Sequence, residues 1–344
     1  MLRKRALVAI WIAALAACRA VQERSSSAAP ADRPYVLVLG SAQDGGLPQL
    51  GCEDAPCAAA RVEPARRRLV TSLLLCDPRS GKRWLFDCTP DIGAQLERAR
   101  GHPATRTTEG PRPPLFDGLF LTHAHAGHYG GLLALGREAY AARELATWVT
   151  PRFARFLAGN GPWSLLVEER RLVLHELAGL EEGDGLDLDD VGKRVELAPD
   201  LFVVPFLVPH RDEFSDTVGF EIHGPERTLV YLPDIDKWEA WDAFGNAPTP
   251  RRIEALLARC DVALLDGCFF ADGEIPGRSM ADIPHPFIRE SIERFSSLPS
   301  PERAKVFFTH LNHTNPAADE RGLAARQVRA CGLQVLDEGR LFGL

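Results

Sequence analysis

Short apolar runs punctuated by polar, glycine- and proline-rich turns recur from Tyr35 to the C-terminus. Tyr35–Leu39 (YVLVL), Thr71–Asp77 (TSLLLCD), Arg83–Asp87 (RWLFD), Phe116–Leu121, residues 144 to 150, Leu201–Val208 (LFVVPFLV), Thr217–Ile222, Thr228–Leu232, Val262–Asp266 (VALLD) and Lys305–Phe308 all read as strands. Pro78 to Lys82 and Gly224-Pro225-Glu226 supply hairpin turns between neighbouring runs. Helices are expected at Asp91–Leu96, Gly130–Ala142, Arg152–Gly159 and Ile288–Phe295, while Trp163–Leu177 reads as strands carrying a structural His175. Trp238 and Trp241 lie three apart on a further helix, as cleft wall or as core. Strands in two sets with helices between them, and polar residues at the strand ends, predict an α/β fold of two sheets sandwiched between helices. No second linker interrupts residues 35–344, so they form a single domain.

The N-terminus has a different pattern. Arg3-Lys4-Arg5 precedes an alanine-rich apolar run, Ala6 to Ala17, too short for an ordinary membrane span, so residues 1–17 read as a signal peptide. Leu15-Ala16-Ala17-Cys18 resembles the lipobox of bacterial lipoproteins, which implies lipidation of Cys18; a plain signal peptide or a retained anchor is the alternative. Arg19 in the next position favours the outer membrane, and residues 18–34 form a flexible tether. The expected location is therefore periplasmic and membrane-anchored. Without the signal cations the chain keeps 37 basic against 47 acidic residues, a formal charge of −10. Such a balance makes nucleic acid a poor partner and a small molecule the expected substrate.

The chemistry concentrates at Thr122 to Gly131, THAHAGHYGG, directly after a buried strand. His123 and His125 point the same way from an extended strand end, and His128 closes on the same cavity as the chain turns. Three imidazoles within six residues are a metal-site signature. Other strand ends add His210, Asp234 and His310, giving six candidate ligands on four loops. Of seven cysteines beyond Cys18, Cys76, Cys88, Cys260, Cys268 and Cys331 sit in apolar surroundings; Cys52 and Cys57 alone look paired, as a disulfide or half of a zinc site.

The histidine stretch resembles the HxHxDH motif of the metallo-β-lactamase fold hydrolases, with Gly127 where that family has Asp. The resemblance implies an αββα sandwich of two mixed sheets. It also implies that His123, His125 and His210 hold a first metal, that His128 and His310 hold a second, and that Asp234 bridges them. Gly127 leaves three arrangements open: a weak second site on His128, Asp234 and His310; a single metal; or a substitute carboxylate from Asp236, Asp212 or Asp44. Within the superfamily, GSAQDGGLPQLGC, TPDIGAQL, PHRDEFSDTVGF, LPDIDKW and THLNHTNP are similar to coenzyme PQQ synthesis protein B and its relatives. Relatives with a cysteine cluster near the first strand imply a structural zinc on Cys52, Cys57 and His313. His285 lies in the loop where the tRNA-processing ribonuclease of this superfamily has a proton donor, so it is a catalytic candidate with Asp234; a rigid turn residue between two prolines is the alternative.

The expected function is an exported metal-dependent hydrolase, in which one or two divalent metals activate water toward a small-molecule ester, lactone, amide or phosphodiester. Zinc is the leading metal, with iron or manganese as alternatives. An iron-dependent oxidative enzyme similar to PQQ synthesis protein B, and a non-catalytic metal- or ligand-binding lipoprotein, are the competing readings. Only 24 positions separate His210 from Asp234, which leaves no room for the long basic arm of a tRNA nuclease.

Overall fold

A strand apolar at every position needs cover on both faces, and the fold supplies it. The computed structural model describes residues 29–30, 32–100, 114–178, 180, 194–244, 251–275, 277, 279–280 and 282–344. The signal segment, Cys18 and most of the tether lie outside the described residues, as do nearly all of the loop 101–114 and all of the acidic stretch 181–190. In chain order the strands are β1 (Tyr35–Gly40), β2 (Ser72–Asp77), β3 (Lys82–Phe86), β4 (Gly118–Phe120), β5 (Leu145–Val149), β6 (Leu172–Glu176) and β7 (Val195–Ala198). They continue with β8 (Leu201–Val208), β9 (Thr217–His223), β10 (Thr228–Leu232), β11 (Val262–Asp266), β12 (Val306–Thr309), β13 (Gln334–Val335) and β14 (Leu341–Gly343).

They form two seven-stranded sheets, β14-β1-β2-β3-β4-β5-β6 and β13-β12-β11-β10-β9-β8-β7. Both are mixed: β1, β2 and β3 pair antiparallel and β3 to β6 parallel, and β7 to β10 and β10 to β13 repeat that division. Three apolar layers result. Tyr35, Leu37 and Leu39 of β1 pack with Phe153 and Leu157 of helix Pro151–Gly159, whereas Val36 and Val38 face Phe220, Tyr231 and Leu264 of the other sheet. The far side of the second sheet packs Val230, Leu265 and Phe308 against Trp238, Leu256 and Phe295 from helices. Between the sheets, Phe86, Phe120 and Trp148 stack at 4.9 and 4.6 Å, and Phe220 meets the first two edge-on at 5.5 and 5.6 Å. Each such pair adds about 0.5–1.5 kcal/mol beyond area burial. The expected αββα architecture is the one observed.

Two expected elements differ. Residues 163 to 177 are not strands throughout: Trp163–Glu168 is a helix, and only Leu172–Glu176 is a strand. Ser164 N donates to Asn160 O and Glu169 N to Leu165 O, each at 2.9 Å, the i to i−4 pattern of a helix and not of strand pairing. The helix expected over 130–142 shrinks to a 3-10 segment, Gly130–Leu135: Gly131 N donates to Cys88 O at 2.8 Å instead of to a carbonyl one helical turn back. Trp238 and Trp241 are core residues, each 1% exposed, and Trp238 Nε1 donates to Ser291 Oγ at 3.0 Å. His175 stacks on Trp148 at 5.4 Å, in keeping with a structural role.

Candidate metal centre

One edge of the sandwich collects the C-terminal ends of β1, β3, β4, β8, β10, β11 and β12, and each end delivers a polar side chain. β4 runs into Thr122 and His123, β8 into His210, β10 into Asp234 and β12 into His310. Ligand atoms of His123, His125, His210 and Asp234 all lie within 4.8 Å of one another. The second group holds His128, Asp234 and His310 together with Asp44, from the loop after β1. Asp234 belongs to both: Oδ2 lies 3.2 Å from His123 Nε2, 3.0 Å from His128 Nε2 and 3.3 Å from His310 Nε2, and Oδ1 lies 3.6 Å from His210 Nε2. Asp234 thus touches the side chains of both groups.

The outer partners fix which ring nitrogen faces inward. His128 Nδ1 pairs with Asp87 Oδ2 at 2.8 Å, His210 Nδ1 with Asp236 Oδ1 at 3.1 Å, and His125 Nε2 with Glu213 Oε2 at 2.9 Å. His123 Nδ1 lies 3.0 Å from Thr122 Oγ1, itself a donor to Asp87. With these nitrogens occupied, His123 Nε2, His125 Nδ1, His128 Nε2 and His210 Nε2 point at the shared space, the arrangement metal-ligating imidazoles need. The fit to a cation can be read from the inner atoms. Asp44 Oδ1, His128 Nε2, His210 Nε2, Asp234 Oδ1 and His310 Nε2 are buried without a hydrogen-bond partner among the described residues. Unpaired buried polar atoms are costly, and five converging ones of ligand type are explained by a divalent ion. Although burial raises a carboxyl pKa, His310 and His210 hold Asp234 well below the usual range, and His128 and His310 do the same for Asp44. Both are therefore ionised, as ligands must be.

Asp236, Asp212 and Asp44 differ in what they face. Asp236 backs His210, and Asp212 accepts from Thr217 Oγ1 at 3.1 Å while burial pushes its pKa up to about 6. Asp44, in contrast, places Oδ1 3.4 Å from His128 Nε2 and 3.5 Å from His310 Nε2. At the rim, His285 Nδ1 lies 2.7 Å from Asp266 Oδ2 and 3.4 Å from Asp234 Oδ1. Burial lowers its pKa, but the Asp266 carboxylate outweighs burial and pushes it up to about 9. His285 is thus part of the cluster, within reach of Cys268 and His310.

The profile of the beta-lactamase superfamily domain matches residues 82–311. The chain is 30% identical over 326 residues to coenzyme PQQ synthesis protein B of Methylobacterium nodulans, an alignment covering 90% of this chain and 99% of that one. This chain belongs to the metallo-β-lactamase superfamily, in its PQQ synthesis protein B-like branch. Among solved structures, zinc-bound PqqB from Methylobacterium extorquens superposes with a TM-score of 0.71 at 22% identity, covering 90% of this chain and 100% of that one. A diphosphatase of the PhnP family gives 0.60 at 21% identity, covering 91% and 97%. Both likenesses bear on the fold.

This member of the superfamily also brings Cys52, Cys57 and His313 together, with ligand atoms within 4.8 Å, beside helix Ala55–Val62. Neither cysteine forms a disulfide among the described residues. Cys76, Cys88, Cys260 and Cys268 are buried as expected, while Cys331 is partly exposed. Reasoning from sequence missed Asp87 and Asp266. Their signal was an acid closing or directly following an apolar strand, in RWLFD and VALLD.

Proposed function

We propose that the chain is an exported metal-dependent hydrolase that cleaves an ester, lactone, amide or phosphodiester bond of a small molecule. One observation carries this reading: buried, unpartnered nitrogen and oxygen atoms from five loops converge on a space bridged by Asp234. A divalent cation held there supplies Lewis-acid activation of water and of a carbonyl or phosphoryl oxygen. The protein's own groups do the rest. Asp87, Asp236 and Glu213 hold the imidazole rings in the ligating tautomer. Asp266 engages His285 Nδ1 and leaves Nε2 as the nitrogen that gives a proton to a departing oxygen. Zinc is the metal favoured by the histidine-rich donor set and by the zinc-bound state of the solved relative. Zinc would also suit Cys52, Cys57 and His313 in a structural role. The acidic balance of the chain supports a small substrate over nucleic acid.

The test is a panel of chromogenic phosphodiesters, aryl esters and lactones, assayed with and without oxygen. Turnover is expected in both atmospheres, abolished by a chelator, restored by zinc, and reduced in His123→Ala by more than the about 10–100-fold typical of an outer partner. Hydrolysis indifferent to His123→Ala sinks the proposal. The match to PQQ synthesis protein B along nearly the whole chain favours a second reading, an iron-dependent oxidative role, which oxygen-dependent turnover alone would select.

A further inference from the structure

We infer that Asp44 is the carboxylate ligand of the second metal position and that Gly127 is the space it requires, so that residues 44 and 127 form a reciprocal pair. The inference rests on the metal dependence proposed above, and not on the reaction catalysed.

Gly127 is buried in the turn between His125 and His128, where the superfamily motif places its own carboxylate. A Cβ added at Gly127 would lie 2.6 Å from Asp44 Cγ and 2.7 Å from Asp44 Cα, with Asp44 Oδ1 closer still. Real Cβ atoms do not tolerate such distances, so residue 127 can carry no side chain while Asp44 stands where it does. The Asp44 carboxylate thus occupies the volume into which a side chain at 127 would project, and Oδ1 is buried there without a hydrogen-bond partner among the described residues. Its neighbours are Nε2 of His128 and Nε2 of His310, themselves buried and unpartnered. A carboxylate oxygen facing two imidazole nitrogens at 3.4 and 3.5 Å, longer than a good hydrogen bond, is the donor set of a hard-to-borderline divalent cation.

The backbone makes the placement rigid. Ala42 bridges Val70 on one side and Leu311 on the other. Gln43 N donates to Leu311 O at 2.9 Å, and Leu311 N donates to Ser41 O at 2.9 Å. The loop carrying Asp44 is therefore zipped onto the residue that follows His310, and Gly46, at φ +65°, turns the chain away directly afterwards. The ligand thus comes from the loop after the first strand rather than from the histidine loop, and a metal bound there ties the loops after β1, β4, β10 and β12 together.

The test is metal content by elemental analysis of the full chain in detergent, for wild type, Asp44→Asn, Gly127→Asp and the double variant Asp44→Gly/Gly127→Asp. Asp44→Asn is expected to lose about one metal equivalent per chain relative to wild type. Gly127→Asp, although it supplies the superfamily's own residue, is expected to lose metal as well, because two side chains then compete for one volume. The double variant is expected to recover the wild-type count. Hydrogen exchange of amides 41–47 should rise on chelation in the wild type and not in the double variant, whose carboxylate has moved to the histidine loop. Asp44→Asn retaining the wild-type count, or a double variant no better than Gly127→Asp, would overturn the inference. Should Asp44→Asn fail to fold, the double variant still decides. Loss of hydrolysis with these counts intact would count against the reaction and leave the ligand exchange standing.

Discussion

Asp87 does more for the centre than any residue outside the ligand set. Its backbone is left-handed, φ 61°, a conformation Asp and Asn tolerate better than most residues. From there its carboxylate accepts from Thr122 N and Oγ1 at 2.9 Å each and from Tyr231 Oη at 2.9 Å, and it holds His128 Nδ1 at 2.8 Å. Asp87→Asn keeps the shape and removes the charge, so metal affinity at the His128 position should fall about 10–100-fold. Competition against a chelating dye measures this, and an unchanged affinity would contradict the role. His285→Ala should slow substrates with alkoxide leaving groups by about 10²–10⁴-fold and p-nitrophenyl analogues far less, since a good leaving group needs no proton. Asp266→Asn should shift the alkaline limb of the pH profile to lower pH, because the Asp266 carboxylate is what raises the His285 pKa. A limb that stays in place would assign it to another group. At this scale His123, His125 and His128 were legible because three imidazoles at short spacing leave few structural explanations. Asp44 could be named only as one of three possible substitute carboxylates and Asp87 not at all, since one acid in a glycine loop or at a strand end looks like any solvated carboxylate until the fold brings it beside a ring nitrogen.

At the scale of elements, the apolar runs were legible because strands covered on both faces carry few polar residues: β1, β2, β9 and β11 are buried along nearly all their length. Trp163 to Glu168 misled for a related reason. Apolar residues at 163, 165, 166 and 167 suit a short strand as well as a helix, and the i to i−4 bonds from Ser164 N to Asn160 O and from Glu169 N to Leu165 O are what distinguish them. The region after His128 shows tertiary hydrogen bonding overruling propensity: Leu- and Ala-rich residues 130–135 remain 3-10, with Gly131 N bonded to Cys88 O and not along a helix. Strand ends, in contrast, carried their function openly. Parallel pairing of β3 to β5 and of β10 to β12 aligns their C-terminal ends along one edge, so the polar residue after each reaches the same place.

At the scale of the molecule, two similar half-sheets sandwich a shared apolar layer and meet at the Asp234 edge. The proposed anchor lies at the other extreme of the chain, at Cys18. Cys18→Ala should move the protein from the membrane fraction to the soluble fraction of a cell envelope preparation, and equal partitioning of both forms would refute lipid anchoring. The measurement that bears most directly on the account is anomalous X-ray scattering from crystals of the purified chain, collected across the zinc and iron absorption edges. Zinc peaks are expected at the group of His123, His125, His210 and Asp234 and at the group of Asp44, His128, Asp234 and His310. An iron peak in their place would transfer the chain to the oxidative reading, and the absence of any peak at the Asp234 edge would contradict a metal-dependent enzyme altogether.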